Sequence, residues 1–321
     1  PANMIAGFHI IKVAPKTSTF YSGSSSYKQE NDTLHTASGN IYGTLMLPAM
    51  TGKSPVALII AGSGPTDRNG NSALGEESDA YKLLAEGLAK NGIASLRYDK
   101  RGIGESRDAM PNQKDIRFED YIRDAEGWIK LLEQDSRFSK VVVIGHSEGS
   151  LIGMIAARET GVSAYISLAG AGRPADQVIL TQMKNLPAPE YAKVENIFAR
   201  LKSGETTDSI PPGNNTLQQL FNPVIQPYMI SWIKYDPAKE IAKLKLPVLI
   251  INGTHDIQVP VSEAEILHQA DPRSRLLLID NMNHILKDAP ADREENIKTY
   301  NDPSLPLDKQ LVPGIAAFIR E

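Results

Sequence analysis

The chain has 321 residues, 41% of them hydrophobic and 22% charged, enough to bury a large core as one large domain or two small ones. A formal charge of −4 lacks the basic footprint of a nucleic-acid binder or a partner of anionic membranes. No apolar run approaches the roughly 18 residues that span a bilayer, and the absence of cysteine excludes disulfides, thiolate zinc sites and a cysteine nucleophile.

A cysteine-free chain of this length leans towards an exported bacterial protein, and a start at Pro1 rather than Met agrees with a removed leader. The compartment stays open on these grounds, as does the oligomeric state.

Residues 1–25 are poorly patterned and read as an N-terminal extension, ending in the flexible connection Ser22-Gly23-Ser24-Ser25-Ser26. Two strand-like runs, Tyr27 to Leu34 and Ile41 to Leu47, join through Ser38-Gly39-Asn40 as a hairpin. From position 55 the pattern changes. Val56 to Ile60 is a continuous apolar run, as expected of a strand buried on both faces. Ala80, Leu83, Leu84 and Leu88 recur at helical spacing, and Ile93 to Leu96 is a short strand. Tyr121, Ile122, Ala125, Trp128, Ile129 and Leu132 form a second helix face. Val141 to Ile144 is a strand and Leu151 to Ala157 a helix. Further strands are expected at Val162 to Leu168, Val248 to Ile251 and Leu276 to Ile279, with a last helix through Ile315 to Ile319.

This alternation predicts an α/β protein with a mostly parallel sheet covered by helices on both faces. The stretch 173–243 interrupts it, with no clear strand and with Pro187, Pro189, Pro211 and Pro212 scattered among helical patterns. It reads as a helical cap inserted into a core made of 26–172 and 244–321.

Gly145-His146-Ser147-Glu148-Gly149 follows the strand Val141 to Ile144 and opens a helix. This is the G-x-S-x-G nucleophile elbow in its strand–turn–helix setting. The glycines are a steric need, because the serine sits on a sharp, strained turn where flanking side chains would collide with strand and helix. The helix N-terminus puts backbone N–H groups beside a developing oxyanion.

A serine hydroxyl needs a base. Of six histidines, His9 and His35 precede the sheet, His146 and His255 adjoin other site residues, and His268 falls in an expected helix. His284 remains, on the loop after the last apolar strand, where α/β sites are built. Asp256, after the strand Val248 to Ile251, completes the order Ser147, Asp256, His284. Asp280 is the rival acid, but it lies four residues from His284 on one segment. Two N–H donors are expected for the oxyanion: Glu148, and Ser63 or Gly64 in Ala61-Gly62-Ser63-Gly64-Pro65. Gly62, Gly64, Asp67, Arg68 and His146 are placed around the pocket, with a structural salt bridge the alternative for Asp67 and Arg68. Asp99 and Arg101 are expected to brace loops beneath the site. The dinucleotide fingerprint fails at Asp67, no metal-ligand spacing occurs, and no cofactor or metal is expected.

At these residues, over roughly 41–319, the chain resembles the α/β-hydrolase superfamily. Gly62-Ser63-Gly64-Pro65-Thr66-Asp67-Arg68-Asn69-Gly70, with the Gly-His-Ser-Glu-Gly elbow, is similar to bacterial esterases and acyl hydrolases related to the dienelactone-hydrolase and acyl-CoA thioester-hydrolase branches. The resemblance implies an α/β-hydrolase fold whose cap shapes the pocket. Dienelactone hydrolases proper use a cysteine nucleophile, which this chain lacks. The leading expectation is a serine carboxylesterase acting on a small-molecule ester through an acyl-enzyme. A thioesterase or peptidase of the same fold is the alternative enzyme, and a non-catalytic binding protein the alternative class.

Overall fold

A computed structural model describes residues 27–72 and 75–321. The N-terminal extension 1–25 and His9 lie outside the described residues. The chain opens with an antiparallel hairpin, β1 (Tyr27–Thr36) and β2 (Gly39–Pro48). β3 (Ser54–Ile60) leads into the glycine-bearing loop and a small ribbon, β4 (Asn71–Ser72) with β5 (Glu76–Glu77). Helix α1 (Ala80–Lys90) buries Ala80, Tyr81, Leu84, Ala85 and Leu88, the i, i+4 pattern that marks its core face. Next come β6 (Ala94–Tyr98), α2 (Phe118–Gln134) and β7 (Phe138–His146). Helix α3 (Glu148–Glu159) starts immediately after Ser147 and is followed by β8 (Ala164–Leu168).

Between β8 and the next strand the chain runs through five helices: α4 (Ala175–Gln182), α5 (Ala188–Lys202), α6 (Asn215–Leu220), α7 (Gln226–Trp232) and α8 (Pro237–Ile241). The fold closes with β9 (Val248–Gly253), α9 (Val261–Ala270), β10 (Arg275–Ile279), α10 (Arg293–Lys298) and α11 (Leu311–Arg320).

The main sheet has eight strands in the order β1-β2-β6-β3-β7-β8-β9-β10. β2 pairs antiparallel with β1 and β6; every later pairing is parallel. Both faces are covered, and the alternation along β3 shows how. Val56, Leu58 and Ile60 join the core beneath α2 and α3, while Ala57 and Ile59 join the one beneath α1 and α11. The five inserted helices are fastened to α2 through aromatic packing. Phe118 stacks on Trp232 at 6.0 Å and lies 6.2 Å from Tyr228, and its backbone N–H donates to Ser231 Oγ at 2.8 Å. Among the described residues no helix is long and apolar enough to cross a membrane.

The parallel strands share one direction, so their C-terminal ends lie along one edge. The loops after β3, β7, β9 and β10 therefore meet there, and they carry Ser63, Ser147, Asp256 and His284.

Candidate active site

Ser147 occupies the turn between β7 and α3 with φ 53° and ψ −118°, a left-handed region that a side chain adopts only under constraint. The constraint is close packing on both sides of the turn. A Cβ at Gly145 would lie 2.2 Å from the carbonyl oxygen of Gly149, and one at Gly149 would lie 2.4 Å from that of Ile60. Ser147 N–H donates to Leu168 O at 3.0 Å, tying the elbow to the neighbouring strand.

His284 is buried, and its Nδ1 donates to Asp256 Oδ2 at 2.7 Å. The other carboxylate oxygen of Asp256 accepts two backbone N–H groups, from Gln258 and Val259, each at 2.8 Å. The acid is thus fixed before any substrate arrives, and it holds His284 as the Nδ1–H tautomer with Nε2 free to accept a proton. Asp280, the rival acid, is exposed at the end of β10 and takes no part in this pair. Ser147 and His284 line the same cavity, though Ser147 Oγ is not hydrogen-bonded to His284 among the described residues. Such a bond commonly closes only when substrate is bound.

Ser63 also lines this cavity, beside a Gly62 that is gripped from both sides. Gly62 N–H donates to Tyr81 Oη at 3.0 Å, and Gly62 O accepts from Lys100 Nζ at 2.6 Å. No described residue takes up the N–H of Ser63. As the first residue of α3, Glu148 has no intrahelical acceptor for its own N–H. The N–H groups of Ser63 and Glu148 thus have no acceptor among the described residues, and both residues line the cavity beside Ser147.

Two buried networks that the sequence does not announce hold these loops together. The first runs through His146. Its Nε2 lies 2.9 Å from His284 O, a pure acceptor, so Nε2 carries the proton and Nδ1 accepts from Tyr81 O–H at 2.7 Å. The chain Gly62 N–H, Tyr81, His146, His284 O joins the loop after β3 to the loop after β10 through the turn at Ser147. Burial, and then the charge of nearby His284, push His146 down to about 3, so it stays neutral. The second network centres on Glu148. Its carboxylate pairs with Lys100 Nζ at 2.8 Å and accepts from Tyr228 O–H on α7. Burial holds the Tyr228 hydroxyl protonated, with the Glu148 charge acting in the same direction. Lys100 thus bridges the loop after β3 and the start of α3, and Tyr228 adds the inserted helices to them.

Of the residues expected around the pocket, Gly62, Gly64 and His146 line the cavity and Asp67 and Arg68 do not. Arg68 turns away to a buried salt bridge with Asp99 at 2.7 Å and a second contact with Glu105, while Asp67 accepts from the N–H groups of Asn69 and Asn71. Asp99 and Arg101 brace loops with separate partners, since Arg101 pairs with Asp124. His35 bonds Asn40, His255 bonds Ala289 O and His268 bonds Ser274, each away from Ser147.

Two lobes meet at Ser147. One, of about 70 Å³, is polar and includes Thr66, Glu76, Ser78, Tyr81 and His284. The other, of about 50 Å³, is lined by Leu151, Val178, Ile179, Trp232 and Val259, with Arg173 at its edge neutralised by Glu263. Among the described residues no group of three His, Cys, Asp or Glu side chains gathers as metal ligands.

Comparison with known proteins agrees with this architecture. A family described as "Serine aminopeptidase, S33" matches residues 72–217. Esterase EstD of Thermotoga maritima is 29% identical over 253 residues, covering 76% of this chain. The match spans only 57% of EstD, little more than half of that protein. The esterase Pf2001 of Pyrococcus furiosus superposes with a TM-score of 0.60 at 14% identity, covering 98% of each chain. The chain has the α/β-hydrolase fold. A proline iminopeptidase of Saccharolobus solfataricus is 24% identical over 258 residues, covering 70% of this chain and 81% of the peptidase. Within the hydrolase fold, Lys100, Tyr81 and Tyr228 carried no motif. Lys100 and Tyr228 touch the site through partners 38 to 80 positions away, and Tyr81, which lines the cavity, bonds partners 19 and 65 positions away.

Proposed function

We propose that this chain is a serine carboxylesterase that works through an acyl-enzyme. Ser147 Oγ attacks the ester carbonyl carbon while His284 Nε2 takes its proton. Asp256 steadies the imidazolium that results, and the N–H groups of Ser63 and Glu148 receive the negative oxygen of the tetrahedral intermediate. His284 then returns the proton to the departing alcohol oxygen, leaving the acyl group on Ser147. Water, deprotonated by His284, attacks the acyl carbon and releases the acid and the free serine.

The observation that carries this reading is the Asp256–His284 pair at 2.7 Å on the wall of the cavity that Ser147 also lines. The esterase relatives support it. Residues 173–243 act in this scheme as a cap, since Val178, Ile179 and Trp232 from that stretch close the apolar lobe. The test is hydrolysis of p-nitrophenyl butyrate by purified protein. Ser147→Ala should lose on the order of 10⁶ in turnover, and a variant as active as the parent would end the assignment.

Cleavage of an amide is the second reading, favoured by the aminopeptidase family match. Comparing an aminoacyl p-nitroanilide with the p-nitrophenyl ester at equal concentration decides between them. A coenzyme-A thioester is disfavoured by the lobe beside His284, which no Lys or Arg lines among the described residues.

A further inference from the structure

We infer that the leaving group of this esterase is a small alcohol bearing a positive charge, selected by the carboxylate of Glu76. The inference rests on the esterase reading. His284 must return its proton to the departing oxygen, so the leaving group has to sit within reach of that ring. Of the two lobes that meet at Ser147, only one is lined by His284. The other is walled by Leu151, Val178, Ile179 and Trp232 and suits an apolar acyl chain.

In the leaving-group lobe, Glu76 is the only carboxylate among the described lining residues, and no described Lys or Arg joins it there. Its carboxylate makes no hydrogen bond or ion pair among the described residues. Its backbone is fixed by the β4–β5 ribbon, where Glu76 pairs with Ser72. Glu76 is half-buried, and burial lifts its carboxyl above the ordinary range, with His284 the one charge acting the other way. A partly desolvated, unpaired carboxylate costs free energy that a ligand cation would recover. A neutral alcohol would leave that charge uncompensated, and an anionic one would be repelled.

The test compares kcat/KM for butyrylcholine and 3,3-dimethylbutyl butyrate, esters of equal shape in which a carbon replaces the charged nitrogen. The assay uses the full chain at about pH 8, where a glutamate is ionised even when its pKa is raised. The wild-type protein should favour the choline ester by on the order of tenfold, the size of one partly desolvated ion pair. Glu76→Gln should bring the ratio close to one, and Glu76→Lys should invert it. A wild-type ratio near one, or a ratio unmoved by both variants, overturns the inference. Hydrolysis of p-nitrophenyl butyrate separates the two layers. If the wild-type protein cleaves it without a choline preference, only the role of Glu76 fails. If it cleaves neither, the esterase reading fails first.

Discussion

The residue that most repays attention beside Ser147 is Asp256, because the geometry divides its two oxygens between different tasks. One is committed to the N–H groups of Gln258 and Val259, so the other faces His284 without freedom to turn away. Asp256→Asn would keep the shape and the backbone bonds. It would present an amide N–H or a weaker acceptor to His284 Nδ1, favouring the wrong tautomer at Nε2. Turnover should fall by about 10⁴ with little change in KM, as read from steady-state kinetics on the p-nitrophenyl ester. A fall of less than tenfold would show that His284 is oriented by something else. His146, the neighbour of the nucleophile, does different work. With one ring nitrogen on His284 O and the other on Tyr81, it is a buried strut between loops and holds no free lone pair for chemistry.

At the scale of elements, α3 begins with a carboxylate that is both favourable and hazardous. Glu148 complements the positive end of the helix, yet it is buried and depends on Lys100 and Tyr228 for compensation. Lys100→Met would leave that charge uncompensated in the interior. The expected loss of stability is about 3–5 kcal/mol, measured as a lowered urea midpoint. Replacing Glu148 by Gln in the same chain should restore part of it, because the stranded charge is then gone. If Lys100→Met alone unfolds at the wild-type midpoint, the pair is not a structural strut. The network also links the inserted helices to α3. α7 reaches α3 through Tyr228 and packs on α2 through Phe118, so the inserted helices are anchored to both.

For the whole molecule, burial of His146 gives a pH dependence of definite sign. Its folded-state pKa is pushed down to about 3, whereas the unfolded chain protonates a histidine near its ordinary 6.5. Stability from this residue is therefore complete above about pH 6.5. It is lost progressively as the pH falls from there towards 3, because only the unfolded state gains the proton. Urea midpoints measured between these limits should decline in the wild-type protein and decline less steeply in His146→Gln. Equal slopes would mean that His146 titrates normally in the folded state.

The same scale shows what the sequence can and cannot reveal. The parallel sheet was legible because strands buried on both faces are written as continuous apolar runs such as Val56 to Ile60, and helices such as α2 as a 3.6-residue period. Ser147, Asp256 and His284 were legible because a strained turn demands glycines beside it and because loops at strand ends follow one another in a fixed order. Lys100, Tyr81 and Tyr228 were not. A lysine after a strand and two tyrosines on helix faces look ordinary locally, and they acquire meaning only from partners brought near by the fold. Arg68 misled in the opposite direction. It stands in the loop after β3 by sequence, yet its side chain is drawn away from the cavity by Asp99. The two-residue strands flanking the loop before Glu76 are too short to show any period.

The central claim is that Ser147 is an activated nucleophile in the folded protein. Its most direct test is reaction of the native chain with a fluorophosphonate probe, followed by intact mass and peptide mapping. The account predicts one adduct per chain, on Ser147, which disappears in Ser147→Ala and on denaturation before labelling. Absence of an adduct on the folded protein, or its appearance on another residue, would contradict it and favour a fold that binds without catalysis.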